Sequence, residues 1–170
     1  KTFGAEWLVW LARELNSIGV IHGRTGKFSD AVLAHTEALE LSRGQGDRGE
    51  TARGLRMLGV LYRNLDDEEL GSKALQEALS YVEERNVREA IVLHGELSKS
   101  LTLLDRMAEA ELHVVKAVEL SKRSGSPPNR VNSFARMAEL KLAQGKVDEA
   151  DVWTKQGFEL FNDVAIRDQT

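Results

Sequence analysis

The chain repeats itself at a period of 39 to 40 residues, and this constrains its fold more than any other feature of the sequence. Ile18-Gly19-Val20-Ile21-His22 returns as Leu58-Gly59-Val60-Leu61-Tyr62, as Leu97-Ser98-Lys99-Ser100-Leu101 and as Met137-Ala138-Glu139-Leu140-Lys141. A small residue holds one place in every copy, at Gly19, Gly59, Ser98 and Ala138. Twelve residues on lie Ala31, Gly71, Ala110 and Ala150, and seven further Ala38, Ala78, Ala117 and Gly157. Small positions kept in register over four copies have a physical cause. Two helices whose backbones approach closely need small side chains where they cross.

Between the first and second small positions each copy is broken, at Thr25-Gly26-Lys27, Leu65-Asp66-Asp67, Leu104-Asp105-Arg106 and Gln144-Gly145-Lys146. Gly and Asp there serve a helix C-cap or the N-cap of the next helix. Around the breaks the apolar residues keep helical spacing: Trp7, Leu8, Leu11, Leu15, Ile18 and Ile21 line one face at steps of three and four. Copies are separated by Gly44-Gln45-Gly46-Asp47, Arg85-Asn86-Val87 and Ser124-Gly125-Ser126-Pro127-Pro128. In the last of these Gly125 can end a helix, and Ser126 can cap one that has Pro127 in its first position. No run shows the period-2 pattern of a strand. The spacing predicts an all-α fold of eight helices in four antiparallel pairs, at about 5–24 and 28–43, 47–64 and 67–85, 87–104 and 107–124, 127–144 and 147–162. Residues 1–162 are expected to form a single repeat domain and 163–170 a loose tail.

These residues resemble the tetratricopeptide repeat, a helix–turn–helix unit of about 34 residues with the signature W-x2-L-G-x2-Y, then A-x3-F, then P. The second copy carries Leu58-Gly59-x2-Tyr62 as written. The first has Ile18-Gly19-x2-His22 and Ala31-x3-His35, so histidine fills two aromatic slots, and the third and fourth depart further, with Leu101 and Lys141 in the Tyr slot. The longer period is similar to that of repeats in bacterial regulators, where such arrays sit beside DNA-binding, nucleotide-cyclase or kinase output domains. The resemblance implies a right-handed helical solenoid that binds a peptide or protein in its concave face, with no catalytic residue. The expected function is a non-catalytic binding module, the sensor or scaffold part of a cytoplasmic bacterial regulator. The alternative is a structural array that associates with itself through its end helices.

In that family the first helix of each pair lines the groove. Its outward residues here are Arg13, Asn16, Val20, Gly23 and Arg24, then Arg53, Arg56, Val60, Arg63 and Asn64. Val92, Gly95, Lys99, Thr102 and Leu103 follow in the third copy, and Asn132, Ala135, Glu139, Leu142 and Ala143 in the fourth. Residues 1–64 carry 9 basic and 7 acidic side chains, whereas 65–170 carry 14 and 20. Five arginines on the first two stripes favour a carboxylate-rich segment or a free C-terminus, because guanidinium pairs bidentately with carboxylate. The competing possibility is a solvated arginine face with intrahelical partners, such as Glu50 beside Arg53. Family members that clamp peptide backbones use asparagine where this chain has Val20, Val60, Lys99 and Glu139, so that mode does not carry over.

Other chemistries find little support. A net charge of −4 gives no push towards nucleic acid, and no apolar run is long enough for a membrane. Without cysteine there is no disulfide, Cys-ligated zinc site, iron–sulfur cluster or thiol nucleophile. Gly23-Arg24-Thr25-Gly26-Lys27-Phe28 has the wrong spacing for a phosphate loop and follows no strand. His22 and His35 lack the further ligands zinc needs and are expected at the core edge, bonded to backbone carbonyls; His94 and His113 stand isolated. Asp66-Asp67-Glu68-Glu69 is expected to open a helix. No metal or cofactor is implied. Trp7 and Trp10 on the first helix, and Trp153, Phe158 and Phe161 on the last, put aromatic residues where terminal repeats are usually polar. Either flanking repeats belong there, as the absence of a starting Met and leader pattern leads one to expect, or copies meet through these ends.

Overall fold

The computed structural model describes residues 3–82 and 86–167. These form eight α-helices and no strand: α1 (Phe3–Arg24), α2 (Phe28–Gly44), α3 (Arg48–Asn64), α4 (Glu68–Tyr81), α5 (Val87–Leu103), α6 (Met107–Ser124), α7 (Pro127–Ala143) and α8 (Val147–Arg167). Two boundaries differ from the sequence expectation by more than two residues. Helix α4 stops at Tyr81, because Val82 is extended (φ −75°, ψ 124°), and 83–85 lie outside the described residues. Helix α8 runs on to Arg167, through the first part of the expected tail; 168–170 lie outside the described residues.

The turn inside each pair is one structure used four times. Gly26, Asp66, Asp105 and Gly145 have φ of 76°, 60°, 58° and 74°, the left-handed conformation that ends a helix. The amide after each donates back to the carbonyl five residues earlier: Lys27 to His22 (2.9 Å), Asp67 to Tyr62 (2.9 Å), Arg106 to Leu101 (2.8 Å) and Lys146 to Lys141 (2.9 Å). Asp tolerates this backbone better than most residues, which is why the pattern accepts either type. The next helices are capped in part by their own sequence. Asp47 accepts from the Glu50 amide (3.0 Å), Asp67 from Leu70 (3.1 Å) and Asn86 from Glu89 (3.3 Å). Gly125 ends α6 at φ 66°, and Ser126 takes the N-cap place before Pro127, although its hydroxyl makes no cap bond.

The chain divides into two compact units, Lys1–Val82 and Glu83–Thr170. In the first, α1 packs on α2, α3 on α4, and α3 closes over α2; in the second, α5 packs on α6, α7 on α8, and α7 closes over α6 and lies beside α5. The small positions sit at the crossings and are buried throughout. A methyl group on Gly19 would stand 2.6 Å from His35 Nε2, and one on Gly59 2.6 Å from Leu75 Cγ and 3.0 Å from the Gly71 carbonyl. Leu101, Val114, Val118, Phe134, Met137 and Leu140 form the apolar core of the second unit.

The crossing at Gly59 gives the first prediction. Gly59→Ala must displace α4 and is expected to cost about 1–3 kcal/mol. Gly95→Ala, whose new methyl meets nothing nearer than Arg136 Cγ at 3.6 Å, is expected to be neutral or to stabilise by up to about 1 kcal/mol through helix propensity. Urea unfolding of both variants checks this, and equal effects would refute the crossing as the cause.

Candidate partner-binding faces

In the first unit the predicted stripe residues on α1 and α3 do not all face solvent. Asn16 is an exception that corrects the sequence expectation: it is 1% exposed and lies between the helices rather than in a groove. Its amide donates to Glu50 Oε2 (3.1 Å) and its oxygen lies 2.8 Å from His35 Nδ1. Because that oxygen must accept, His35 carries its proton on Nδ1. His35 therefore bonds to a side chain, not to a backbone carbonyl as expected, and its Nε2 edge rests on Gly19.

Glu50, at the head of α3, organises the charge around it. Arg13 Nε and Arg53 Nη1 each stand 3.7 Å from its Oε1; the guanidiniums are 60% and 46% exposed while the carboxylate is 13% exposed. The intrahelical partner considered for Arg53 is thus present, and it serves Arg13 as well. Arg56 is half-buried and near enough, with Arg53, to act on His35 electrostatically. Val20, Val60 and Arg63 are half-buried, while Arg24 and Asn64 are exposed at the helix ends.

The second unit holds a cleft of about 320 Å³ between α5 and α7. Five predicted stripe residues line it: Val92, Gly95, Asn132, Ala135 and Glu139. Its floor carries a group that the sequence reading missed. Arg136 donates to Glu96 (3.0 Å) and to Glu139 (2.9 Å), so the guanidinium is clamped between carboxylates. A signal for it exists: Glu96 and Arg136 occupy one slot of the repeat, 40 residues apart, and carry opposite charge. Lys99, Thr102 and Leu103 line a smaller adjoining hollow of about 210 Å³ with Arg136 and Glu139.

His94 and His113 are not isolated. They stand 19 residues apart, and their Nδ1 atoms meet at 2.9 Å across α5 and α6. The same two slots of the fourth copy hold Phe134 and Trp153, whose rings lie 5.3 Å apart. Trp153 is therefore half-buried against its own pair, whereas Phe158 and Phe161 are 65% and 60% exposed. Trp7 and Trp10 stack on one another at 4.8 Å and remain exposed. Lys141, in the Tyr slot, is buried and held by Glu111 (2.8 Å) and Glu149 (3.2 Å). Its bond to Glu111 is the main cause that raises its pKa, and the same bond lowers that of Glu111. Among the described residues no group of three or more His, Cys, Asp or Glu is placed to hold a metal, and no helix is long and apolar enough to cross a membrane.

This is the architecture of the tetratricopeptide-type helix-pair array, and solved structures of that type share it. BtubC (BKLC) from P. vanneervenii matches 91% of the chain at 15% identity with a TM-score of 0.80. The Rap protein in complex with competence and sporulation factor matches 88% at 17% identity (TM-score 0.76), and MamA 91% at 18% identity (TM-score 0.67). The matches span 65% of BtubC, 42% of Rap and 80% of MamA. No family model and no curated protein matches the sequence.

The buried histidines predict acid sensitivity. Burial, then the charges of Arg53 and Arg56, lowers the His35 pKa to about 4, and burial, then His113 and Lys116, does the same to His94. Burial lowers His113 too. An unfolded histidine titrates near 6.5, so between about pH 6.5 and 4 the unfolded chain binds more protons than the folded one. Stability is therefore full above pH 6.5 and falls on acidification, by up to about 1.4 kcal/mol per pH unit for each histidine. Thermal melts should show a lower Tm at pH 5 than at pH 7.5. His35→Gln, which can still donate to Asn16 but does not titrate, should lose part of that drop; an unchanged drop would remove His35 from the cause.

Proposed function

We propose that the chain is a non-catalytic protein- or peptide-binding module, the sensor or scaffold part of a cytoplasmic bacterial regulator, with residues 1–162 acting as one repeat domain. The observation that carries this is the α5–α7 cleft, lined by the outward residues of two successive first helices with its arginine already fixed. A charged group clamped before binding loses little entropy when a ligand arrives, which suits recognition of an extended segment. The Rap protein is solved with competence and sporulation factor bound, which supports a similar use of the fold here. No nucleic acid, membrane, metal or cofactor enters this reading.

An acidic segment is the favoured ligand of the first unit. Arg13 and Arg53 are held by a single carboxylate, so two guanidiniums share one negative charge there. A partner carboxylate then competes with Glu50 for Arg13 and Arg53, and Arg56 adds its charge from the same helix.

Fluorescence anisotropy with labelled Glu-rich peptides of free C-terminus, against Lys-rich and neutral controls, tests this. Glu50→Gln keeps an acceptor for Asn16 yet removes the competing charge, so acidic peptides should bind about three- to tenfold more tightly. Arg56→Ala should weaken them about ten- to hundredfold where the pair is desolvated, Arg24→Ala far less, and added salt should weaken wild-type binding. Equal affinity for acidic and basic peptides would reject the acidic preference, and binding of none of them would reject the module reading for this face.

A further inference from the structure

We infer that the open α7–α8 end of one copy is the seat for α1 of a second copy, so that chains join head to tail. The fold makes this kind of contact twice internally. In the second unit α7 sets Met137 and Leu140 on α6 over Val118; in the first, Leu58 and Leu61 of α3 sit in the same slots, and Leu39 of α2 in that of Val118. All are covered there: Leu39 is 6% exposed, Val118 5%, Leu58 4%, Leu61 5%, Met137 4% and Leu140 1%.

One copy carries both halves of this contact unmated. On α1 the slots of Met137 and Leu140 hold Ile18 and Ile21, which are 44% and 61% exposed. On α8 the slot of Val118 holds Phe158, at 65% exposure. A trough of about 470 Å³ runs beside it, lined by Val131, Ala135, Leu142 and Phe161 among others. These are the surfaces that a covering helix buries elsewhere in the chain.

The substitutions at the two ends match each other, which favours a second copy over an unrelated helix. Inside the first unit Thr51 of α3 bonds to Ser42 of α2 (3.3 Å). The corresponding residues at the ends are Leu11 on α1 and Phe161 on α8, so a polar pair is replaced on both sides by an apolar one. Inside the second unit Lys141 pairs with Glu111 (2.8 Å). The corresponding residues are His22 on α1 and Asp151 on α8, again a base facing an acid; Asp151 pairs with Lys155 in the single chain. Trp10 takes the slot of Asn129, beside the place where α7 presents Ala135. The two surfaces differ, so the contact is heterologous and each copy retains one free end of each kind. The trough meets the α5–α7 cleft at Ala135 and Glu139, but Ile18, Ile21 and Phe158 belong neither to that cleft nor to the arginine face, so loss of peptide binding would leave this inference standing.

The experiment is analytical ultracentrifugation of the chain and two exposed-face variants, Phe158→Glu and Ile21→Glu, with circular dichroism to confirm their helix content. The wild-type mass should rise with concentration beyond that of two chains. Each variant alone should stay at the 18.9 kDa of one chain, since each lacks one half of the contact. Mixed in equal amounts, they should form a heterodimer through the two intact halves and grow no further. A wild-type chain that stays monomeric up to about 1 mM overturns the inference. So does a dimer that survives in Ile21→Glu, which would mean that α8 meets α8, and so does a mixture that fails to pair.

Discussion

The structure depends on how closely paired helices can approach. A methyl group on Gly71 would stand 2.9 Å from the Gly59 carbonyl, so at this crossing the two backbones are nearly in contact. Ser98 with Ala110, and Ala138 with Ala150, hold the same buried positions with slightly larger groups. Fixing the approach fixes which slots of the two helices face each other. That is why His94 with His113 and Phe134 with Trp153 meet in the same two slots of successive copies, and Asn16 meets His35 one position along in the first. The packing frame is constant, and the chemistry placed in it varies.

Charge follows the same frame. Successive first helices lie side by side within a unit, so residues one period apart face one another, and Glu96 pairs with Arg136 on that basis. Glu50 reaches back across the same approach of first helices, though not one full period, to Arg13 and Asn16. Such pairs cost little where one partner is exposed. Their consequence lies in position: they hold guanidiniums still on a face that is otherwise free to receive a segment. The arginine face of the first unit is in this respect less positive than its sequence suggests.

The end faces bring out a property of stacked repeats. Within each unit the second pair covers the first, and a face that no pair covers keeps an apolar surface unless its sequence changes. Here the sequence keeps it apolar at Ile18, Ile21, Phe158 and Phe161, all well exposed. An exposed apolar patch of that kind is a place where a partner can be buried.

The sequence by itself determined the element plan. Small residues at a constant spacing, a Gly or Asp at each break, and apolar steps of three and four are backbone-level requirements, and each leaves a mark at a known position. Hence helix starts at 28, 87, 107, 127 and 147 agree with the spacing to the residue. Tertiary structure alone decided which polar groups are buried and paired. Asn16 has the spacing of an outward residue, but α3 brings the Glu50 carboxylate over it, and the energy of a paired buried amide outweighs exposure. His94 and His113 are single letters until two helices cross, and Arg136 is one arginine among many until Glu96 lies beside it. Periodicity records what a helix needs along its own axis. Side-chain partners are set by distances across helices, and those distances exist only in the packed chain.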